Sequence, residues 1–269
     1  QTAHSINYWR IVIGPWLAIV VPSIFDRWES LSAAMKLGDY DEMPVNDNVV
    51  RDLIRQDYLS SAISLQHDEW NYCLFSDIIR KRYNNDQYQI TTAIRSNLAA
   101  DCQSSKSSWG LRIVSIFDRL ISKIQSRYCI ALVDSYLSPL VRIRLALKLG
   151  QFPRYHSIFK REIPQSRFID EFRNSDIGLN TIDAFEGYVN ENILQLLPSS
   201  YLEDFSSLQG IAASYQDEVK LVLTANAHIS NDIFKIWSAH QVEYKQTKLL
   251  VSSHGGCLPS EFSSFIDHE

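Results

Sequence analysis

Two short runs of β-formers, "VKLVLTA" (219–225) and "TKLLVSS" (247–253), flank one amphipathic segment, "SNDIFKIWSAHQVEYKQ" (230–246). A strand, a helix and a strand at this spacing restrict the region to a parallel α/β layer, because a helical crossover returns the chain to the same end of the sheet. Such crossovers are right-handed in nearly every case, so both strand exits open at one sheet edge. Each exit carries a small polar cluster with a histidine, "TANAHISND" after the first and "SSHGG" after the second. Ligands of open parallel sheets bind at that edge, where loops converge and helix N-termini present free N–H groups.

The polar residues of the two loops are therefore the candidate site. His228, Asp232 and His254 are the candidate catalytic residues, and Asn226, Ser230, Asn231, Ser253, Gly255 and Gly256 the candidate substrate-binding ones. Histidine changes charge near neutral pH and suits proton transfer or hydrogen bonding to phosphate. Paired glycines let a ligand approach the backbone, although a tight turn demands the same residues. Asp232 is either a carboxylate acting on a sugar or a first-turn acid, which the helix dipole favours by about 0.3–1 kcal/mol without any chemistry. No third ligand accompanies His228 and Asp232, so no metal site is expected. The chain has no G-x-S-x-G elbow, no G-x-G-x-x-G and no Walker A loop, which removes the common hydrolase, dehydrogenase and P-loop classes.

The same alternation begins earlier. "LRIVSIFDRLISKI" (111–124) reads as a helix, "YCIALVDSYLSP" (128–139) as a strand ending at Asp134, and "LVRIRLALKLG" (140–150) as a short basic helix closed by Gly150. Arg142, Arg144, Lys148, Arg154, Lys160 and Arg161 follow closely and either face solvent or reach acidic groups of a substrate. The stretch 151–172 has room for a short strand. A mostly helical insertion, about 156–210, separates this part from the second strand.

The first hundred residues read as helical, with "GDYDEMPVNDN" (38–48) as a loop. The run "IVIGPWLAIVVPSIF" (11–25) is shorter than the roughly 20 apolar residues of a membrane span and reads as buried helix or turn, with Pro15 and Pro22 starting, kinking or breaking it. Trp9, Trp16, Trp28 and Trp237 stand at core-type helical positions. The predicted organisation is a mostly helical region over 1–108 and a Rossmann-like α/β region over 109–269.

Charge and cysteine narrow the partners. Lys and Arg total 26 against 31 Asp and Glu, a net −5 that argues against broad nucleic-acid binding. Cys73, Cys102, Cys129 and Cys257 lie far apart with no CxxC spacing, which fits a reducing, cytoplasmic setting.

Several segments, in order, resemble one family. "HSINYWRIVIGPWL" (4–17), "FDRWESL" (25–31), "DEWNYCLFSDII" (68–79), "LPSSYLEDF" (197–205), "TANAHISNDIFKIWSA" (224–239) and "SSHGG" with the terminal "DHE" resemble the large transferases of bacterial surface-carbohydrate biosynthesis, of the lipopolysaccharide O-antigen type. The resemblance implies one half of a two-Rossmann, GT-B-like glycosyltransferase, with a nucleotide-sugar donor as substrate, no separate cofactor, and a glycan acceptor. It implies work on the cytoplasmic side, with peripheral contact at the inner membrane. It also implies a fragment lacking both ends, the carboxyl-terminal donor domain included. On this reading Asp232 is the catalytic carboxylate, His228 orients a substrate, and His254 with the Gly255 and Gly256 amides neutralises a leaving phosphate. Ser253 stands where the family pattern has glutamine, and "CLPS" replaces a glycine-rich turn. A polyol-phosphate transferase and a non-catalytic glycan-binding or scaffold module are the rival readings.

Overall fold

The strand, helix and strand of the opening segment fold as their periodicity predicts. The computed structural model describes residues 4–38, 42–46, 50–83, 89–93, 109–125, 127–160, 163, 170–175, 177–215 and 217–252. Along the chain run α1 (Ile6–Val12), α2 (Gly14–Leu37), β1 (Glu42–Asn46), α3 (Tyr58–Ser64), α4 (Asp68–Arg82) and β2 (Gln89–Ala93). Then come α5 (Trp109–Ile124), β3 (Arg127–Val133), α6 (Pro139–Lys148), α7 (Asp170–Arg173), α8 (Ala184–Leu196) and α9 (Phe205–Ala213). Last are β4 (Glu218–Thr224), α10 (Ala227–Ser230), α11 (Asp232–Lys245) and β5 (Lys248–Val251).

The residues pack into two units of mixed α/β structure. One is drawn from Gln1–Pro15, Gln103–Pro164 and Asp204–Glu269, the other from Trp16–Cys102 and Gln165–Glu203. The first holds a three-stranded parallel sheet in the order β3-β4-β5. Tyr128 faces Val219 and Val133 faces Thr224 across the first pair, while Leu221 faces Lys248 and Thr224 faces Val251 across the second. The α11 helix supplies the hydrophobic layer through Ile233, Phe234, Ile236, Trp237 and Ala239, all buried. Asn231 caps it by accepting from the Phe234 N–H at 2.9 Å, and Gln246 closes it in the left-handed conformation.

At the other side of the sheet a side chain finishes the ladder. Gln151 Oε1 accepts from the Cys129 and Ile130 N–H groups at 2.9 and 3.2 Å, and its Nε2 donates to the Ile130 carbonyl at 2.7 Å. At Cys129 and Ile130 one glutamine amide thus takes the place of a neighbouring strand. Phe159 and Tyr215 pack against Phe234 and Trp237 of α11, with ring centroids 5.2–5.9 Å apart in this cluster. Among the described residues of 151–172 there is no strand; the chain makes a 3-10 turn, Ser157–Lys160, instead.

The described residues of the second unit are mostly helical, and its β1 and β2 pair in parallel from Glu42 with Gln89 to Asn46 with Ala93. The loop expected over 38–48 contains β1. Its buried positions, Met43, Val45 and Asn46, alternate with exposed ones up to the last, and α4 holds its end: the Asn46 N–H donates to Ser76 Oγ at 2.8 Å, and Arg80 donates to the Asn46 carbonyl. Within the first hundred residues, expected to be helical, the chain after β1 forms a 3-10 turn, Val50–Leu53, and then α3, with Asp57 and Ser60 forming a capping box between them. Buried Arg173 pairs with Glu203 at 2.6 Å and donates to the Leu194 and Leu197 carbonyls, which satisfies the carboxyl end of α8.

Pro15 stands in the first turn of α2, where its missing N–H costs nothing, and Pro22 lies inside a helix that continues past it. Trp16 and Trp28 are buried on α2, and Trp237 on α11. No single helix among the described residues is long and apolar enough to cross a membrane.

Candidate functional site

Two backbone hydrogen bonds tie the strand exits together. The Asp134 carbonyl after β3 accepts from the Ala225 N–H after β4 at 3.2 Å, and the Thr224 carbonyl accepts from the Ser252 N–H after β5 at 2.8 Å. Thr224 Oγ1 accepts from the Ala227 N–H at 3.0 Å and starts α10. At this edge lies a pocket lined by Val133, Asp134, Arg142, Tyr155, His156, Phe159, Lys160, Ala227 and Asn231.

A buried carboxylate orders the turn that supplies one of its walls. Asp118 of α5 accepts from the Tyr155 N–H at 3.0 Å and the Ser157 N–H at 2.7 Å, one through each oxygen. That grip holds His156 between them in the left-handed conformation, φ 58°. Beneath it the buried Arg154 guanidinium pairs with Asp217, donates to the Asp118 carbonyl at 3.1 Å, and stacks over Tyr215 at 4.8 Å. The His156 ring shares a hydrogen bond with the Tyr215 hydroxyl. Burial, and secondly the charge of Arg154, push the His156 pKa down to about 3. Burial likewise raises that of Tyr215 well above the ordinary tyrosine value. Both rings are neutral at neutral pH.

The rim carries the charge. Arg142 Nη2 donates to the Leu132 and Arg154 carbonyls at 3.3 and 3.4 Å, which fixes its guanidinium at the pocket mouth. Lys160 Nζ stands 3.5 Å from the Asp134 carboxylate, with both side chains substantially exposed. Asp134 has φ 49°, a left-handed conformation that aspartate adopts more readily than most residues and that often marks a functional position.

The candidates named from the sequence distribute unevenly. Asn231 lines the pocket, its Nδ2 donating to the Phe159 carbonyl at 2.6 Å while its Oδ1 caps α11. Asn226 stands next to this rim, where Tyr136 donates to its Oδ1 at 3.2 Å, and Ser230 Oγ donates to the Asn226 carbonyl at 3.0 Å. His228 lies on α10 and is half-buried. Asp232 is not among the lining residues: it is 2% exposed and pairs with the fully buried Lys235 at 2.7 Å. Ser253, His254, Gly255 and Gly256 lie outside the described residues, as does Arg161.

The basic group splits by environment. Arg154 is interior, Arg142 and Lys160 face the pocket, and Arg144 and Lys148 face solvent. Sequence reasoning missed Tyr155 and His156 as pocket walls. Their only signal was an aromatic and basic run, "PRYHSIF", whose fold depends on Asp118 far upstream. Among the described residues no three His, Cys, Asp or Glu side chains group to hold a metal ion.

The fold and this edge define a mixed α/β protein with a charged pocket at the ends of two parallel strands. Residues 1–266 match the model of the LIC12162 family transferases, and the chain belongs to that family. No curated protein and no solved structure matches the chain.

Proposed function

We propose that this transferase moves a sugar from a nucleotide-sugar donor to a glycan acceptor in bacterial surface-polysaccharide assembly, with a Rossmann-like, GT-B-type half providing the pocket. The observation that carries the reading is the pocket at the carboxyl ends of β3 and β4, where two cations and one accessible carboxylate meet. Group transfer needs that combination: a base for the incoming hydroxyl and positive charge for the departing phosphate. Asp134 is the one carboxylate among the lining residues and takes the role that the sequence assigns to Asp232. It accepts the acceptor's hydroxyl proton as the acceptor oxygen bonds to the sugar carbon. The bond from that carbon to the phosphate oxygen breaks, and its electron pair leaves with the nucleotide. Asp232, paired with Lys235, holds the start of α11 and so the Asn231 cap.

Transfer and hydrolysis measured with UDP-, GDP-, CMP- and CDP-linked donors test the reading. Turnover of a sugar nucleotide, lost in Asp134→Asn, is the expected result. Turnover of a CDP-polyol alone would replace it with polyol-phosphate transfer, and no turnover of any donor would overturn it.

An apolar and basic surface supports action at the cytoplasmic face of a membrane. Ile113, Ile116, Phe117, Leu120 and Ile124, spaced to share one face of α5, are all more than half exposed. Arg119, Lys123, Arg144 and Lys148 on α5 and α6 are exposed as well, whereas the one acid of the two helices, Asp118, is buried. A helix with an apolar face and basic flanks suits an anionic lipid surface. Co-sedimentation with phosphatidylglycerol vesicles, absent with phosphatidylcholine and lost in Phe117→Glu, is expected; equal behaviour on both vesicles would remove the membrane from the reading.

A further inference from the structure

The charges of the side chains that line the pocket do not cancel. Arg142 and Lys160 bring two cations against the single carboxylate of Asp134, in a chain whose net charge is −5. His156 adds none at neutral pH, since burial holds it uncharged. Asn231 has its amide N–H engaged by the Phe159 carbonyl. The lining side chains alone therefore carry an excess of positive charge; behind them Asp118 has both oxygens engaged by the Tyr155 and Ser157 N–H groups, and Arg154 is paired with Asp217.

The two cations differ in freedom. Arg142 is anchored through Nη2 by two main-chain carbonyls, so the planar guanidinium keeps one position and offers its remaining donors from there. Among the described residues Lys160 is held by Asp134 alone, at 3.5 Å and in contact with solvent. Exposed pairs of this kind contribute little, whereas charge-assisted bonds to phosphate oxygens are shorter and stronger. A ligand oxygen is the better partner for the lysine. Asp134 meanwhile stays at the rim, because its carbonyl is tied to the Ala225 N–H.

We infer that Arg142 and Lys160 form a phosphoryl-binding site at the end of β3, with Asp134 as the resident counter-charge that yields Lys160 to the ligand. The inference rests on the transfer reading only for the source of the phosphate. The site takes a tetrahedral phosphoryl dianion or a pyrophosphate, seated between a fixed fork and a movable ammonium.

Calorimetric titration of the full chain with inorganic phosphate, pyrophosphate and UDP tests it. Lys160→Ala is expected to weaken binding about tenfold, the scale of one charge-assisted hydrogen bond. Asp134→Asn is expected to tighten binding several-fold, since it releases the lysine, and asparagine accepts the left-handed backbone as readily as aspartate. Opposite signs from two neighbouring rim substitutions are not produced by a general loss of fold. Tighter binding of UDP and pyrophosphate than of phosphate assigns the group to a donor nucleotide, and equal binding assigns it to a lone phosphate. No binding to the unaltered chain, no effect of Lys160→Ala, or weaker binding in Asp134→Asn would overturn the site. If the binding pattern holds while no donor is turned over, the anion site stands and the transfer reading falls; turnover without the pattern means the reverse.

Discussion

Two lysine–aspartate pairs of the α/β unit have the same chemistry and opposite settings. Lys235 and Asp232 meet at 2.7 Å with side chains 0% and 1% exposed, whereas Lys160 and Asp134 meet at 3.5 Å with 45% and 38% exposed. Taking the first pair out of water costs several kcal/mol per ion, recovered only while both partners stay in place. The second has lost little hydration and gains little by pairing. Location, not residue type, decides which pair anchors the fold and which is available to a ligand. A carboxylate at the start of a helix beside a sheet edge looks catalytic in sequence, yet here the accessible one is the acid just after the neighbouring strand, β3.

The sharpest way to break this contrast is to remove one lysine from each pair. Lys235→Ala leaves a buried carboxylate alone and is expected to lower stability by about 3–5 kcal/mol, measured by urea denaturation; Asp232→Leu combined with Lys235→Met should restore most of it. A cost below 1 kcal/mol for the single change would mean that the two settings do not differ as described. Next in size is the neutral His156. Its folded pKa of about 3 lies below the ordinary histidine value of 6.5, so the unfolded chain binds a proton first as pH falls. The stability this contributes is complete above pH 6.5 and is lost towards pH 3, with a slope of up to about 1.4 kcal/mol per pH unit. His156→Asn, compared with the unaltered chain at pH 7 and pH 4.5, should show the shallower acid loss; parallel curves would exclude His156 as the source. Smallest is Lys160→Ala, expected to change stability by no more than about 0.5 kcal/mol while weakening anion binding. A large loss of stability there would make the rim pair structural too.

What could be read from the residues alone follows the range of the forces involved. The β3, β4 and β5 strands and the α11 helix were legible because apolar runs, the Asn231 cap and the small polar exits are local signals. The β1 strand was not, since Pro44 and the surrounding acids and asparagines read as a loop. Its strand state depends on pairing with β2 and on Ser76 and Arg80 of α4. The pocket was half legible. Asn231 was named for the right edge, and Arg142 and Lys160 were noted as basic residues of unassigned partner. The turn presenting Tyr155 and His156 is ordered by the Asp118 carboxylate, 37 and 39 positions from the amides it accepts, and no pattern within 151–160 announces that.

Gln151 has a consequence beyond closing a ladder. A strand edge is a template on which another molecule's strand can add, and each addition exposes a fresh edge for the next. By offering one amide in strand geometry and no continuing backbone, Gln151 acts on β3 as a terminator does on a growing polymer: it occupies the site of addition and presents nothing to extend.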